Sequence, residues 1–199
     1  MRMRQLAIES GLPIATIKFY LRERLLHEGS REGPNQAIYD DTHLRRLALI
    51  RALTVTGGLS LSAAKRVIDA VDSDLPLPEV FEVAQRSLHT GELSEPSQSA
   101  LRSVDELCTG WHFREDNPGR LEAARVIDML EAVGQDYTHG WLEAYVEAAL
   151  CAAQADLVEL DHVSGREAKA ATVVLGTVLG DHLFAAIRRV AQEHLTNRT

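Results

Sequence analysis

Apolar positions in this chain recur mostly at intervals of three and four, the spacing of one helical face, and the main exception is a short polar stretch near the start. Met3 to Gly11 reads as a short amphipathic helix closed by glycine, Leu12-Pro13 as a tight corner, and Ile14 to Arg22 as a second short helix meeting the first at an angle. Leu6, Ala7, Ile14, Ile17 and Leu21 are the expected buried side of that corner, which leaves Thr16, Lys18, Tyr20 and Arg22 facing outward. Leu25-Leu26, the polar run His27 to Gln36 and then Ala37-Ile38-Tyr39 have the make-up of two short strands joined by a turn-rich loop, a wing. Asp40 or Asp41 caps a third helix with the apolar stripe Leu44, Leu47, Ile50, Leu53 and Val55, and with Arg45, Arg46 and Arg51 between. Gly57-Gly58 ends it. Ser60 caps a fourth, whose Ala64, Val67, Ile68 and Val71 face inward while Lys65 and Arg66 lie on the other side.

Beyond residue 72 the pattern is helical throughout. Pro76 and Pro78 restart the chain, and a helix from about Pro78 to His89 is closed by Gly91 and Pro96. Ser97 or Ser99 opens a helix to Cys108. A loop from Gly110 to Asp116 leads to Asn117-Pro118, a cap followed by proline at the first helical position, and a helix running to Gly134. Trp141, Tyr145, Ala149, Leu157 and Leu160 repeat at helical spacing in the next one. Ser164-Gly165-Arg166-Glu167 reads as a capping box that starts a last helix reaching about Leu195, with Gly176 and Gly180 one turn apart. The predicted fold is mainly α: a winged helix-turn-helix with a small β-hairpin over residues 1–72, a short helix and linker over 73–98, and an all-helical domain over 99–199.

Charge sharpens this division. Residues 1–71 hold eleven Lys/Arg against seven Asp/Glu, a net +4, and the remainder is −12, for the overall −8. An acidic chain is a poor partner for nucleic acid, but a phosphate backbone responds to the local field, which is positive where the helix-turn-helix lies. The expected DNA contacts are Thr16, Lys18, Tyr20 and Arg22 on the second helix, Arg31, Asn35, Gln36 and Tyr39 on the wing, and Arg45 and Arg46 on the third helix. Cys108 and Cys151 are far apart and read as reduced thiols, the start of the chain has no apolar leader, and the uncharged run Ala170 to Gly180 is short for a bilayer. A cytoplasmic protein without membrane contact is expected.

The order of parts resembles the MerR family of bacterial transcription regulators over the first third of the chain. The family's Leu-Ala, Gly, Thr-Ile-Arg-Tyr-Tyr, Leu-Leu, Asn-Gly-Tyr-Arg-x-Tyr, Leu-Arg-Arg-Leu and Gly-Phe-Ser-Leu stand here in order. They are Leu6-Ala7, Gly11, Thr16-Ile17-Lys18-Phe19-Tyr20, Leu25-Leu26, the wing through Tyr39, Leu44-Arg45-Arg46-Leu47 and Gly58-Leu59-Ser60-Leu61. Lys18 replaces the usual arginine, keeping the charge but losing the planar fork, and Ala37 stands where the wing usually carries an arginine. The resemblance implies double-stranded promoter DNA as partner, a homodimer, and promoter activation by duplex distortion when an effector arrives, which admits RNA polymerase as a further partner. Simple repression is equally allowed.

For the rest of the chain the alternatives stay open. The final helix, with its small residues, suits either internal packing or a homodimer seam, and the short helix after residue 78 is the other candidate seam. The texture of the final helix is similar to the closing helix of TetR-type regulators. Trp111, Phe113, Tyr137, Trp141 and Tyr145 are the candidate walls of a site for a small aromatic or cationic organic effector, against the reading that they are core. No cofactor and no metal site is expected: neither cysteine has a companion at ligand spacing, and Asp136-x-x-His139 and Glu159-x-x-His162 are single pairs. A metal-responsive regulator or an enzyme is correspondingly the weaker class, since no phosphate loop or nucleophile elbow is present. A helical adaptor that keeps the reader fold without binding DNA is the remaining alternative.

Overall fold

Gly11, at φ 65°, closes the first helix (α1, Met3–Ser10) in the left-handed conformation that a side chain resists, and Pro13 precedes the second (α2, Ile14–Arg22). The computed structural model describes residues 1–33, 36–88, 94–135 and 139–197. Leu6 and Ile17 are fully buried at the corner, whereas Ile14, expected inside, is 39% exposed at the first turn of α2.

The wing forms later in sequence than its composition suggests. Its strands are Ser30–Gly33 (β1) and Gln36–Ile38 (β2), antiparallel, with Ser30 opposite Ile38, Arg31 opposite Ala37 and an irregularity between Arg31 and Gly33. Leu25 and Leu26, expected to open the first strand, are instead buried in the turn that follows α2, where both their amides bond the Tyr20 carbonyl.

Asp40 caps the third helix (α3, Asp41–Arg51), its carboxylate accepting the Thr42 amide at 3.0 Å while its own amide donates to His43 Nδ1 at 3.1 Å. A π-helical turn, Ala52–Thr56, extends α3 and turns Val55 outward, 74% exposed against the expected inward stripe. Ser60 caps the fourth helix (α4, Leu61–Asp72) by accepting the Ala63 amide, and α4 buries Ala63, Ala64, Val67, Ile68, Ala70 and Val71.

Contacts divide the chain into two units, Met1–Leu88 with Gly165–Thr199, and His89–Ser164. By contacts the last helix (α9, Arg166–Thr196) groups with the reader and not with the rest of residues 99–199. It packs on α4, on the fifth helix (α5, Leu77–Ser87) and on the π-helical turn, burying Ala170, Val173, Val174 and Val178. The approach is close at Gly57: a Cβ there would lie 2.3 Å from Val178 Cγ1 and 2.8 Å from the Leu53 carbonyl oxygen. The expected capping box does not form at α9, whose N-cap is Gly165 without a side-chain cap. The Arg166 guanidinium instead donates to the Val71 and Leu75 carbonyls, both at 2.8 Å, pinning the start of α9 to the end of α4. By length and composition alone α9 is long and apolar enough to cross a bilayer, a test that a core helix also passes.

The second unit holds three further helices among the described residues: α6 (Gln98–Leu107), α7 (Pro118–Ala132) and α8 (Trp141–Asp161). Its core joins α6 to α7 through Ala100, Val104, Ala124 and Ile127, with Leu101, Leu107 and Cys108 against it. Two polar clamps reinforce that pair. Arg120 grips Asp105 with two bonds of 2.7 Å, and Asp128 accepts both the amide and the hydroxyl of Ser97, the N-cap of α6, at 2.8 and 2.6 Å.

Candidate nucleic-acid interface

Helix α2 exposes Lys18 and Arg22, with Thr16 and Phe19 half-buried. Arg22 lies over the Phe19 ring at 5.2 Å from its centroid and reaches Glu23 at 3.2 Å, contacts exposed enough to be exchanged for a phosphate. Tyr20, expected to face outward, is placed differently. One turn after Ile17 it falls on the inner side of α2 and is only 9% exposed, so its ring packs inside. Arg24, at φ 58°, lets the chain leave α2, and Lys65 from α4 donates to the Glu23 carbonyl at 2.8 Å, fixing the helix end.

On the wing, the Arg31 side chain is 83% exposed, 3.9 Å from Glu28. Gln36 is exposed at the start of β2, and Arg2 braces the strand through Glu32 at 2.7 Å. Asn35 lies outside the described residues. Tyr39, expected as a contact, is buried: its ring meets His43 edge-on at 5.1 Å and its amide donates to the Met1 carbonyl at 2.8 Å. Burial, with a smaller push from Glu28, raises its phenol further above the usual range, so the hydroxyl keeps its proton.

On α3, Arg45 is exposed and Arg46 is not. The Arg46 side chain is 10% exposed and pairs with Asp72 at the end of α4, an internal strut where a DNA contact was expected. Arg51 is exposed and reaches the Ser10 carbonyl at 3.4 Å.

Sequence reasoning missed the cluster at the root of the wing. His43 is 4% exposed, stacks on His27 at 3.9 Å between centroids, and leaves its Nε2 buried without a hydrogen-bond partner. His27 Nε2 lies 2.9 Å from the Thr42 hydroxyl. Hydrogen bonds from Thr42 and then His43 hold the Asp40 carboxyl well below the usual carboxylate range, while burial, with His43 and Arg46 nearby, lowers His27. The donor atoms of His27, Asp40 and His43 lie within 4.8 Å of one another, a set chemically suited to a transition-metal ion, though the hydrogen bonds of the α3 cap already engage each residue. The available signal was Asp-x-x-His at a helix start, a histidine standing in for the glutamate of a capping box.

In the second unit, Trp141 and Tyr145 lie one turn apart on α8 with their rings tilted against each other at 4.6 Å between centroids, and Trp111 and Phe113 lie in the segment joining α6 to α7, 38% and 39% exposed. Tyr137 lies outside the described residues, as does Asp136 of the Asp136-x-x-His139 pair.

Lys18, Arg22, Arg31 and Arg45 thus stand exposed on α2, the wing and α3, in the order by which such readers approach a groove and its flanking phosphates. Residues 1–71 match the model of the MerR HTH family of regulatory proteins. Over its whole length the chain is similar to a crystal structure of a candidate transcriptional regulator from Streptomyces coelicolor A3(2), with 27% identity, TM-score 0.74 and coverage of 100% of this chain and 97% of that one. No protein of curated function matches the chain.

Proposed function

We propose, on the premise that residues 1–71 are a MerR-family helix-turn-helix region, that this transcription regulator binds a pseudo-palindromic promoter site as a cytoplasmic homodimer. Lys18 enters the groove and Arg22, Arg31 and Arg45 take phosphates, with Gln36 at the wing. One observation carries the reading: these four side chains are exposed and meet at most an exposed carboxylate, whereas Arg46 pairs with Asp72 inside the reader and Arg51 and Lys65 bond its main-chain carbonyls. The Trp141–Tyr145 stack on α8 supports an aromatic or cationic organic effector in the second unit. RNA polymerase is the partner such an effector response would address at the promoter.

Fluorescence anisotropy on DNA flanking the gene tests this. Affinity falls steeply with salt, and Arg31→Ala reduces the logarithmic slope by about 0.9 for the one phosphate contact it removes. Lys18→Ala weakens the specific site more than an unrelated duplex. Salt-independent or absent binding would refute DNA reading and favour the helical adaptor; candidate aromatic amines added to the same titration report on the effector.

A further inference from the structure

We propose that Arg24, on the turn that ends α2, is a further contact to the DNA backbone, its guanidinium taking a phosphate beyond the end of the recognition helix. This rests on the DNA reading above and adds a residue to its interface.

Three helices of this chain end in the same turn. In each, a left-handed residue donates its amide to the carbonyl three back, and the next residue donates to the carbonyl five back. At α1 these bonds are Gly11 to Ile8 at 3.3 Å and Leu12 to Ala7 at 3.2 Å; at α7 they are Gly134 to Glu131 at 2.9 Å and Gln135 to Leu130 at 3.0 Å. At α2 they are Arg24 to Leu21 at 3.2 Å and Leu25 to Tyr20 at 2.9 Å, with φ 58° at Arg24 against 65° and 72° at the two glycines. Tyr20 and Leu25, which the closing bond joins, are both buried. The turn is complete without any help from the side chain at residue 24.

That side chain works against the turn. In the left-handed conformation a Cβ crowds the following carbonyl oxygen; glycine escapes the clash, and asparagine tolerates it best among the rest. Arg24 is the one non-glycine at positive φ among the described residues. Strain kept at a single position, on the helix that addresses DNA, points to a use for the side chain that bears it.

The guanidinium is placed to act. Residue 24 is exposed, and among the described residues no hydrogen bond, ion pair or ring contact engages its side chain. Arg22 shares its charge with Glu23 at 3.2 Å, and Arg31 lies 3.9 Å from Glu28. In helix-turn-helix readers the N-terminal residues of the recognition helix meet base edges, which leaves its C-terminal end to the flanking backbone. An arginine at that end matches phosphate oxygens with its planar fork. A cation there also answers the helix macrodipole, but Arg22 in the last turn of α2 already does so.

Arg24→Gly tests the contact because it moves stability and affinity in opposite directions. In thermal unfolding followed by circular dichroism, Tm rises by about 2–4 °C as glycine relieves the turn. In anisotropy on the DNA flanking the gene, binding at 0.1 M salt weakens about eightfold, alike on the specific site and an unrelated duplex, and the logarithmic salt slope falls by about 0.9. Arg24→Lys keeps the charge, and with it the wild-type slope. An Arg24→Gly protein with wild-type affinity and slope overturns the contact, as does one with a lowered Tm, since the side chain then serves the fold. A wild type whose binding ignores salt refutes DNA reading itself, whereas salt-dependent wild-type binding that Arg24→Gly leaves intact refutes Arg24 alone.

Discussion

Arg46 separates a structural role from a DNA contact more sharply than any other cation of the reader. Its guanidinium is only 10% exposed and pairs with Asp72, which is 47% exposed, so solvent screens one partner and hardly the other. One of its nitrogens, Nη1, is already buried without an acceptor. Asp72→Asn removes the countercharge and leaves the guanidinium behind. The cost lies between that of an exposed pair and that of a broken buried one, about 2 kcal/mol. For a chain of this size that is a fall in Tm of about 4–8 °C. Arg46→Met keeps the apolar stem and removes the buried charge together with its need for a partner, so it costs less, about 1 kcal/mol. Thermal unfolding by circular dichroism gives both values, and anisotropy well below either transition gives DNA affinity. A strut requires Asp72→Asn to be the more destabilising variant and both to bind within about twofold of wild type. The reasoning is refuted if Arg46→Met loses tenfold or more in affinity, with a flatter salt slope, while Asp72→Asn binds normally.

Two further predictions address the wing root and the seat of α9. His27 is lowered from 6.5 by burial, so the folded reader favours the neutral ring while the unfolded chain takes its proton at the ordinary value. Its contribution to stability is therefore full above 6.5 and is lost as pH falls below it through the folded value; Tm drops over that window, and drops less in His27→Gln, whereas a titration by NMR at or above 6.5 contradicts the assignment. Gly57→Ala forces a Cβ against Val178 and the Leu53 carbonyl and costs about 1–3 kcal/mol in chemical denaturation. Gly57→Ala/Val178→Ala costs less than the sum of the single variants, and strict additivity would mean that the two sites do not touch.

The helices were legible because their caps and punctuation are local. Ser60, Ser97 and Asn117 each bond the amide three residues on, as the cap, and Gly11 takes the left-handed turn its position demands. What periodicity could not supply was the choice among faces. Tyr20 and Tyr39 look like contact residues by type, yet Tyr20 follows Ile17 by one turn and Tyr39 meets His43, a neighbour whose burial no apolar pattern announces. Arg46 and Arg45 are adjacent cations in sequence, and only the position of Asp72, twenty-six residues on, decides which of them is spent. The assignment of α9 to the reader was equally hidden. It depends on Gly57 letting the π-helical turn approach Val178 and on Arg166 reaching two carbonyls more than ninety residues away.

That assignment has a mechanical consequence for the reader. The first half of α9 is clamped to α4, α5 and the π-helical turn, and the second half continues it as the same uninterrupted helix. A helix bends little without a proline, a π-bulge or a broken ladder, and α9 is described as helix from Arg166 to Thr196 without one. The far half of α9 is therefore held rigidly to the reader rather than hung from it by a flexible linker. The second unit stands differently, because it is inserted in sequence between α5 and α9 and joins the reader's unit through the chain at each end. One of those ends is Gly165-Arg166, where the guanidinium grips the Val71 and Leu75 carbonyls. A displacement at that end would reach α4 through the Arg166 guanidinium as well as through the α9 side chains packed on it.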